Sequence, residues 1–161
     1  MNDRRTLAEA RTAERTEARA AELAEARERG PSHVVDLQWR RLRADAADAG
    51  YDAFVALLDA AAVEPGLRRL FPFTTMWVLC FGSDPGAPSP ARTPAVLALP
   101  EGRFRVMAHR RGEVIGETDS AAAAVALVLA RLPVLQGHPA VELFADVARP
   151  PGEPDELRAR K

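Results

Sequence analysis

Cysteine, lysine and aromatic residues are scarce in this chain. Cys80 is the only cysteine, so no internal disulfide can form and the redox compartment is unrestricted. Cys80 has no CxxC companion, and His33, His109 and His138 lie far apart without metal-ligand spacing. Neither a metal nor a cofactor is expected. Lys161 is the only lysine among 22 basic residues, which together with the abundant alanine reads as GC-rich codon usage rather than selection for phosphate binding. A net charge of −1 gives no overall attraction to nucleic acid. The longest apolar run, "AAAAVALVLA" at 121–130, is too short to cross a bilayer, and the N-terminus has no apolar stretch of signal-peptide type. A cytoplasmic protein with neither nucleic-acid nor membrane partner is the expectation. P-loop, GxGxxG, GxSxG and HExxH motifs are all missing.

What is present is ordinary globular composition, 47% hydrophobic and 28% charged over 161 residues, enough for one domain with a core. The pattern divides the chain into a charged helical arm (1–30), a single α+β domain (31–148) and a flexible tail (149–161). Residues 3–29 are rich in Ala, Glu and Arg and stop at Gly30-Pro31. Leu7 and Leu23 are the only large apolar residues there and point to nearly opposite sides of a helix, so no heptad seam exists. The arm reads as a solvated helix, with docking on a partner as the alternative. Val35, Trp39, Leu42, Ala46 and Ala49 then follow helical spacing up to Gly50, and a second helix is predicted over 52–62 with Phe54, Val55, Leu57 and Leu58 buried.

Beyond the helices the period changes to that of a meander of about four antiparallel strands with helices on one face. "TTMWVLCF" (74–81) reads as one central strand, apolar on both faces. "GSDPGAPSPARTP" (82–94) reads as an irregular linker, or else a lid. A two-residue turn at Glu101-Gly102 would set Leu97 opposite Val106 and Leu99 opposite Phe104. A three-residue turn Arg110–Gly112, with Gly112 left-handed, would pair His109 with Glu113, Met107 with Ile115, Arg105 with Glu117 and Phe104 with Thr118. Asp119 or Ser120 caps a last helix whose stripe is Val125, Val128, Leu129 and Leu132, ending at Pro133. "AVELFADV" (140–147) is a further short element of either type.

Two sets of residues are candidates for function. His109 beside Glu113, flanked by Arg103, Arg105 and Glu117 on the polar sheet face, has the composition of an acid–base site for an anionic substrate. The same charges also serve as cross-strand pairs that keep the face soluble. Arg68 and Arg69 ahead of Phe71, Phe73 and Trp77 have the composition of an interaction hot spot. Arginines in a last helical turn also complement the helix dipole without any ligand. Cys80, deep in a strand, is expected to be an inert structural thiol.

"LRRLFPFTTMWVLCF", "GRFRV" and "VIGETDSAAAAVALVLARLP" together resemble a family of small actinomycete proteins described as natural-product biosynthesis proteins, over about residues 34–135. The matching positions are Arg68, Leu70, Pro72, Phe73 and Trp77, then Gly102, Arg103 and Val106, then Gly116, Glu117, Ala124 and Leu132. The loop after Phe81 is poorer in aromatic residues than the family pattern. The resemblance implies a biosynthetic setting and no particular reaction. The expected role is an accessory protein that binds a biosynthetic enzyme or its peptide or small-molecule intermediate through Arg68, Arg69, Phe71, Phe73, Trp77, Arg103 and Arg105. The alternative is a small tailoring enzyme using His109 and Glu113.

Overall fold

A computed structural model describes residues 2–82 and 93–132. The linker over most of 82–94, the segment 140–147 and the tail from 149 lie outside the described residues.

The chain begins with a helical hairpin, α1 (Asn2–Arg29) and α2 (Pro31–Asp48). Gly30 makes the reversal at φ 117°, a conformation costly for any residue with a Cβ, and Pro31 opens α2 where its missing N–H is not needed. The helices run antiparallel. Arg15 meets Asp48 at 2.6 Å, Arg19 meets Asp45, and Arg41 reaches Glu22 at 3.2 Å while donating to the Arg19 carbonyl. Beneath these pairs, Ala26 is buried with Val34 and Leu37, and Leu23 and Phe71 pack beside them. Only the second half of α1 is held this way. Residues before Arg15 run past the end of α2, and Leu7 there is 58% exposed. The arm is therefore solvated in its first half and docked in its second. No heptad seam signals the docking, because it rests on one alanine, one leucine and long charged side chains.

That division has a measurable consequence. Removing residues 1–14 should leave the melting temperature unchanged. Removing residues 1–30 uncovers Val34, Leu37 and Phe71, a loss of about 1–2 kcal/mol, and should lower it by roughly 5–10 °C. Equal melting of the two truncated chains would mean that the docked half contributes nothing.

Helix α2 turns its Val35, Trp39, Leu42 and Ala46 face into the core, as its spacing predicts, while Ala49 lies outside the helix and exposed. Gly50 takes φ 72° to close the helix, and α3 (Asp52–Ala62) follows with Phe54, Leu57, Leu58 and Ala61 buried. A single turn, α4 (Pro65–Arg68), leads into the sheet. The Trp39 indole N–H donates to the carbonyls of Arg68 (2.9 Å) and Leu70 (3.1 Å), satisfying acceptors that so short a helix leaves open.

The sheet has five antiparallel strands in sequence order: β1 (Phe71–Thr75), β2 (Val78–Gly82), β3 (Ala95–Ala98), β4 (Phe104–Met107) and β5 (Val114–Thr118). The expected fold class holds, with one strand more than the sequence suggests. The extra strand arises inside "FPFTTMWVLCFG", which is a hairpin rather than one strand. Met76 and Trp77 form its two-residue turn at φ 53° and 62°, the left-handed pair a type I′ turn requires. Glycine or asparagine normally marks such a turn, so this one has no local signal. Tertiary contacts hold it: Trp77 stacks on Tyr51 with centroids 4.6 Å apart and meets Phe54 edge-on at 5.3 Å.

Two registers also differ from expectation. The β3–β4 connection is a 3₁₀ turn at Pro100–Gly102, with Leu99 N–H donating to the Arg103 carbonyl at 2.7 Å. The extra loop residue slips the pairing by one, so Val96 faces Val106 and Ala98 faces Phe104, while Leu97 lies opposite Arg105. In β4–β5, Phe104 with Thr118 and Arg105 with Glu117 pair as predicted, and Val106 lies opposite Gly116 between them. A bulge then shifts Met107 opposite Val114 instead of Ile115, and Ile115 packs against the core. The connection widens to four residues, with Ala108 bonded to Glu113 and Gly112 to His109, and Gly112 is not left-handed.

Ser120 caps α5 (Ala121–Ala130), its Oγ accepting from Ala123 N–H at 3.1 Å. Gly116 on β5 lets this helix come close, since a Cβ there would lie 3.2 Å from Leu127. Ala124, Val125, Val128 and Leu132 complete a core with α2, α3 and the inner sheet face of Leu79, Phe81, Val96, Phe104 and Val106. By the strand register, the outer face carries Phe73, Val78, Cys80, Ala95, Leu97 and Met107, with Arg105 and Glu117 toward β5.

Candidate functional site

Where α1 and α2 meet α4 they leave a cleft of about 490 Å³, with Ala26 and Leu37 in its floor. Its walls carry Glu22, Glu25 and Arg29 from α1, His33, Asp36 and Arg40 from α2, and Arg68 from α4. Arg68 is the best held of the cations. Its guanidinium bonds Asp36 at 3.0 Å and lies 5.6 Å from the centroid of the Trp39 ring, while its own carbonyl accepts from that indole. Glu25 pairs with Arg29 at 2.8 Å and Glu22 with Arg41. Each carboxylate in the cleft thus has an arginine of its own. Arg40 and His33 have no hydrogen-bond or ion-pair partner among the described residues and are exposed. The unmet capacity of the cleft is cationic, which suits a carboxylate or another anionic group.

The other sequence candidates fall in separate places. Arg69 is exposed one residue beyond α4 and has no partner among the described residues. Phe71 packs against Ala26, Val34 and Leu37, Phe73 lies on the outer sheet face opposite Cys80, and Trp77 is committed to Tyr51 and Phe54. Next to Trp77, Met76 is 88% exposed at the hairpin tip. Arg103 and Arg105 both bind Glu117, Arg105 at 2.7 Å. The hydrogen bond from Arg105, backed by the charges of both arginines, holds Glu117 below the ordinary glutamate range. His109 sits in the β4–β5 turn over Gly112, where an added Cβ would meet its ring at 2.6 Å. No hydrogen bond or ion pair joins it to Glu113. Burial pushes the Cys80 thiol up to about 11, partly offset by the charge of Arg110. At neutral pH such a thiol is a poor nucleophile.

Among the described residues no group of His, Cys, Asp or Glu is arranged to hold a metal ion, and no helix is long and apolar enough to cross a membrane. The sequence profile of a family of unknown function (DUF6193) matches residues 33–142, more than half of the chain. The chain belongs to this family. No curated protein and no solved structure matches it. The family span takes in α2 from His33 onward, α3 to α5 and all five strands, and it leaves out α1. Arg40, Asp36 and Arg68 thus lie inside the family span, whereas Glu22, Glu25, Ala26 and Arg29 belong to this chain's N-terminal extension.

Arg40 is the residue that sequence reasoning missed. It lies in "WRRLR" (39–43), where Arg41 and Arg43 look identical to it. Arg41 is taken by Glu22, and Arg43 by Asp59 at 2.6 Å, whereas Arg40 has no partner among the described residues. Only the long-range placement of α1 and α3 distinguishes the three.

Proposed function

We propose that the protein is an accessory binding protein that receives an acidic group of a protein or peptide partner in the cleft between α1, α2 and α4. One observation carries the reading: Glu22, Glu25 and Asp36 are each paired with an arginine, and the cleft lining still holds Arg40, which has no partner among the described residues, next to an Arg68 braced by Asp36 and Trp39. A preorganised guanidinium loses little freedom on binding a carboxylate, which favours recognition by a small number of contacts. The sequence resemblance supports a biosynthetic enzyme, or its peptide or small-molecule intermediate, as the partner. Tailoring chemistry by His109 and Glu113 gains no support, since the bulged hairpin leaves them unjoined.

The test uses fluorescently labelled acidic, neutral and basic peptides of equal length, followed by fluorescence polarisation. Acidic peptides should bind best. Arg40→Ala with Arg68→Ala should weaken their binding tenfold or more, about 1.4 kcal/mol, while Arg110→Ala with Arg111→Ala should leave it intact. The tagged chain should co-purify a partner from producing cells, and the Arg40/Arg68 variant should lose it. Equal binding of the three peptide classes, or loss through the Arg110/Arg111 pair alone, would defeat the proposal.

A further inference from the structure

Helix α1 lies outside the family span, and it is seated on α2 by contacts that are easily given up. The ion pairs Arg15–Asp48 and Arg19–Asp45 are well exposed on both sides, so water and salt screen them. The apolar seam beneath is small: Leu23 and Ala26 against Val34, Leu37 and Phe71. Arg41, the cation at the middle of the seam, is poorly matched. Its side chain is 18% exposed, and its bonds to the Arg19 carbonyl and to Glu22 both come from Nη2. Its Nε is buried and has no hydrogen-bond partner among the described residues. A well-placed carboxylate takes two parallel N–H donors from a guanidinium, whereas Glu22 takes one. The connection to α2 is a single hinge residue. A Cβ at Gly30 would meet nothing within 4 Å, so α1 can pivot there without displacing a packed neighbour.

We infer that α1 is a built-in competitor for its own seat: it pivots on Gly30, and an acidic amphipathic helix of the partner takes its place along α2. The inference rests on the proposed recognition of acidic groups and names the form in which they arrive. Helix α1 itself shows what the seat accepts, with a carboxylate at Glu22 for Arg41 and apolar Leu23 and Ala26 for Val34, Leu37 and Phe71. It also fits imperfectly in ways a partner helix can improve. A carboxylate reaching both Nε and Nη2 would satisfy Arg41 in full. Glu25 is paired within its own helix to Arg29, and α1 puts the cation Arg29 into the same cleft as Arg40 and Arg68. A helix with acidic residues at both of those places would turn like-charge repulsion into attraction and leave its carboxylates open to Arg40 and Arg68. A seam as slight as that of α1 leaves the arm released in about one molecule in ten, and only the released fraction binds.

The test uses the full chain and a fluorescent peptide that copies residues 15–29 with Arg27→Glu and Arg29→Glu. A released chain carries Arg15→Ala, Arg19→Ala and Leu23→Ala, all in α1, and leaves the seat on α2 intact. It should bind the peptide about tenfold tighter than the unaltered chain, and adding Arg41→Ala should remove that gain. In the unaltered chain, saturating peptide should speed amide hydrogen exchange in residues 15–29 of the protein, as expected of a helix that has lost its support. Equal affinity for the two chains, or no binding to either, would overturn the inference. Tighter binding to the unaltered chain would overturn it too, by making α1 a needed wall of the site. Release that instead yields dimers on size-exclusion chromatography would give the seat to α1 of a second copy, a third contrary result. The two readings fail separately. If short acidic peptides ignore Arg40→Ala with Arg68→Ala, the cleft reading falls; if they respond but α1 stays protected, displacement alone falls.

Discussion

Trp39→Ala is expected to lower stability by about 3–5 kcal/mol, and with it the melting midpoint by roughly 10–20 °C. The ring is 3% exposed, lies 6.3 Å from Phe81 and sits within the main core cluster. Truncation therefore opens a cavity where α2 meets the sheet. It also removes the indole N–H that donates to the carbonyls of Arg68 and Leu70. Trp39→Phe separates the two effects: it keeps most of the packing and leaves those carbonyls without the indole, a cost of about 1–3 kcal/mol. Chemical or thermal unfolding of the three proteins gives the comparison. A Trp39→Ala protein that melted within about 1 kcal/mol of the parent would place the core elsewhere.

The same residue links the fold to the proposed binding cleft. Arg68 gains its fixed position from the Trp39 face and the Asp36 carboxylate, and α4 gains its end from the Trp39 indole. Loosening Trp39 should therefore blunt recognition of acidic peptides even where the fold survives, as in Trp39→Phe. The cleft is no independent attachment to the domain: its arginine stands on a core tryptophan.

How much of this is legible in the sequence depends on how local each cause is. Helices α2, α3 and α5 follow from apolar spacing, from Gly50 and from the Ser120 cap, all signals within one helix length. Arg105 opposite Glu117 is legible because both faces of that hairpin agree on one register close to the strand centres. The Met76-Trp77 turn is not, because its stabilisers, Tyr51 and Phe54, come from another part of the chain. Of the site, Arg68 is visible as a cation ahead of an aromatic run. Arg40 is not, since its freedom is defined by what Glu22 and Asp59 do to its neighbours.

The β3–β4 register offers the sharpest contrast between adjacent positions. Counting Glu101-Gly102 as a two-residue turn puts Leu97 and Leu99 inside; the actual turn begins at Pro100 and puts Val96 and Ala98 there instead. Leucine and valine are both good core residues, so composition cannot choose between them, and one loop residue decides which face is buried. Val96 is 1% exposed on the inner face, against Val106. Val96→Asp should bury a carboxylate with no cation described beside it, a cost of well over about 4 kcal/mol, and the protein should show no cooperative melting transition. Leu97→Asp sets its carboxylate on the outer face opposite Arg105, where a cross-strand ion pair is available. That variant should stay folded and within about 2 kcal/mol of the parent, the loss being that of one half-buried leucine. Circular dichroism melts of the two neighbours would decide the matter. If Leu97→Asp unfolded the protein while Val96→Asp was tolerated, β3 would face the other way, and both the core and the outer sheet face would have to be redrawn.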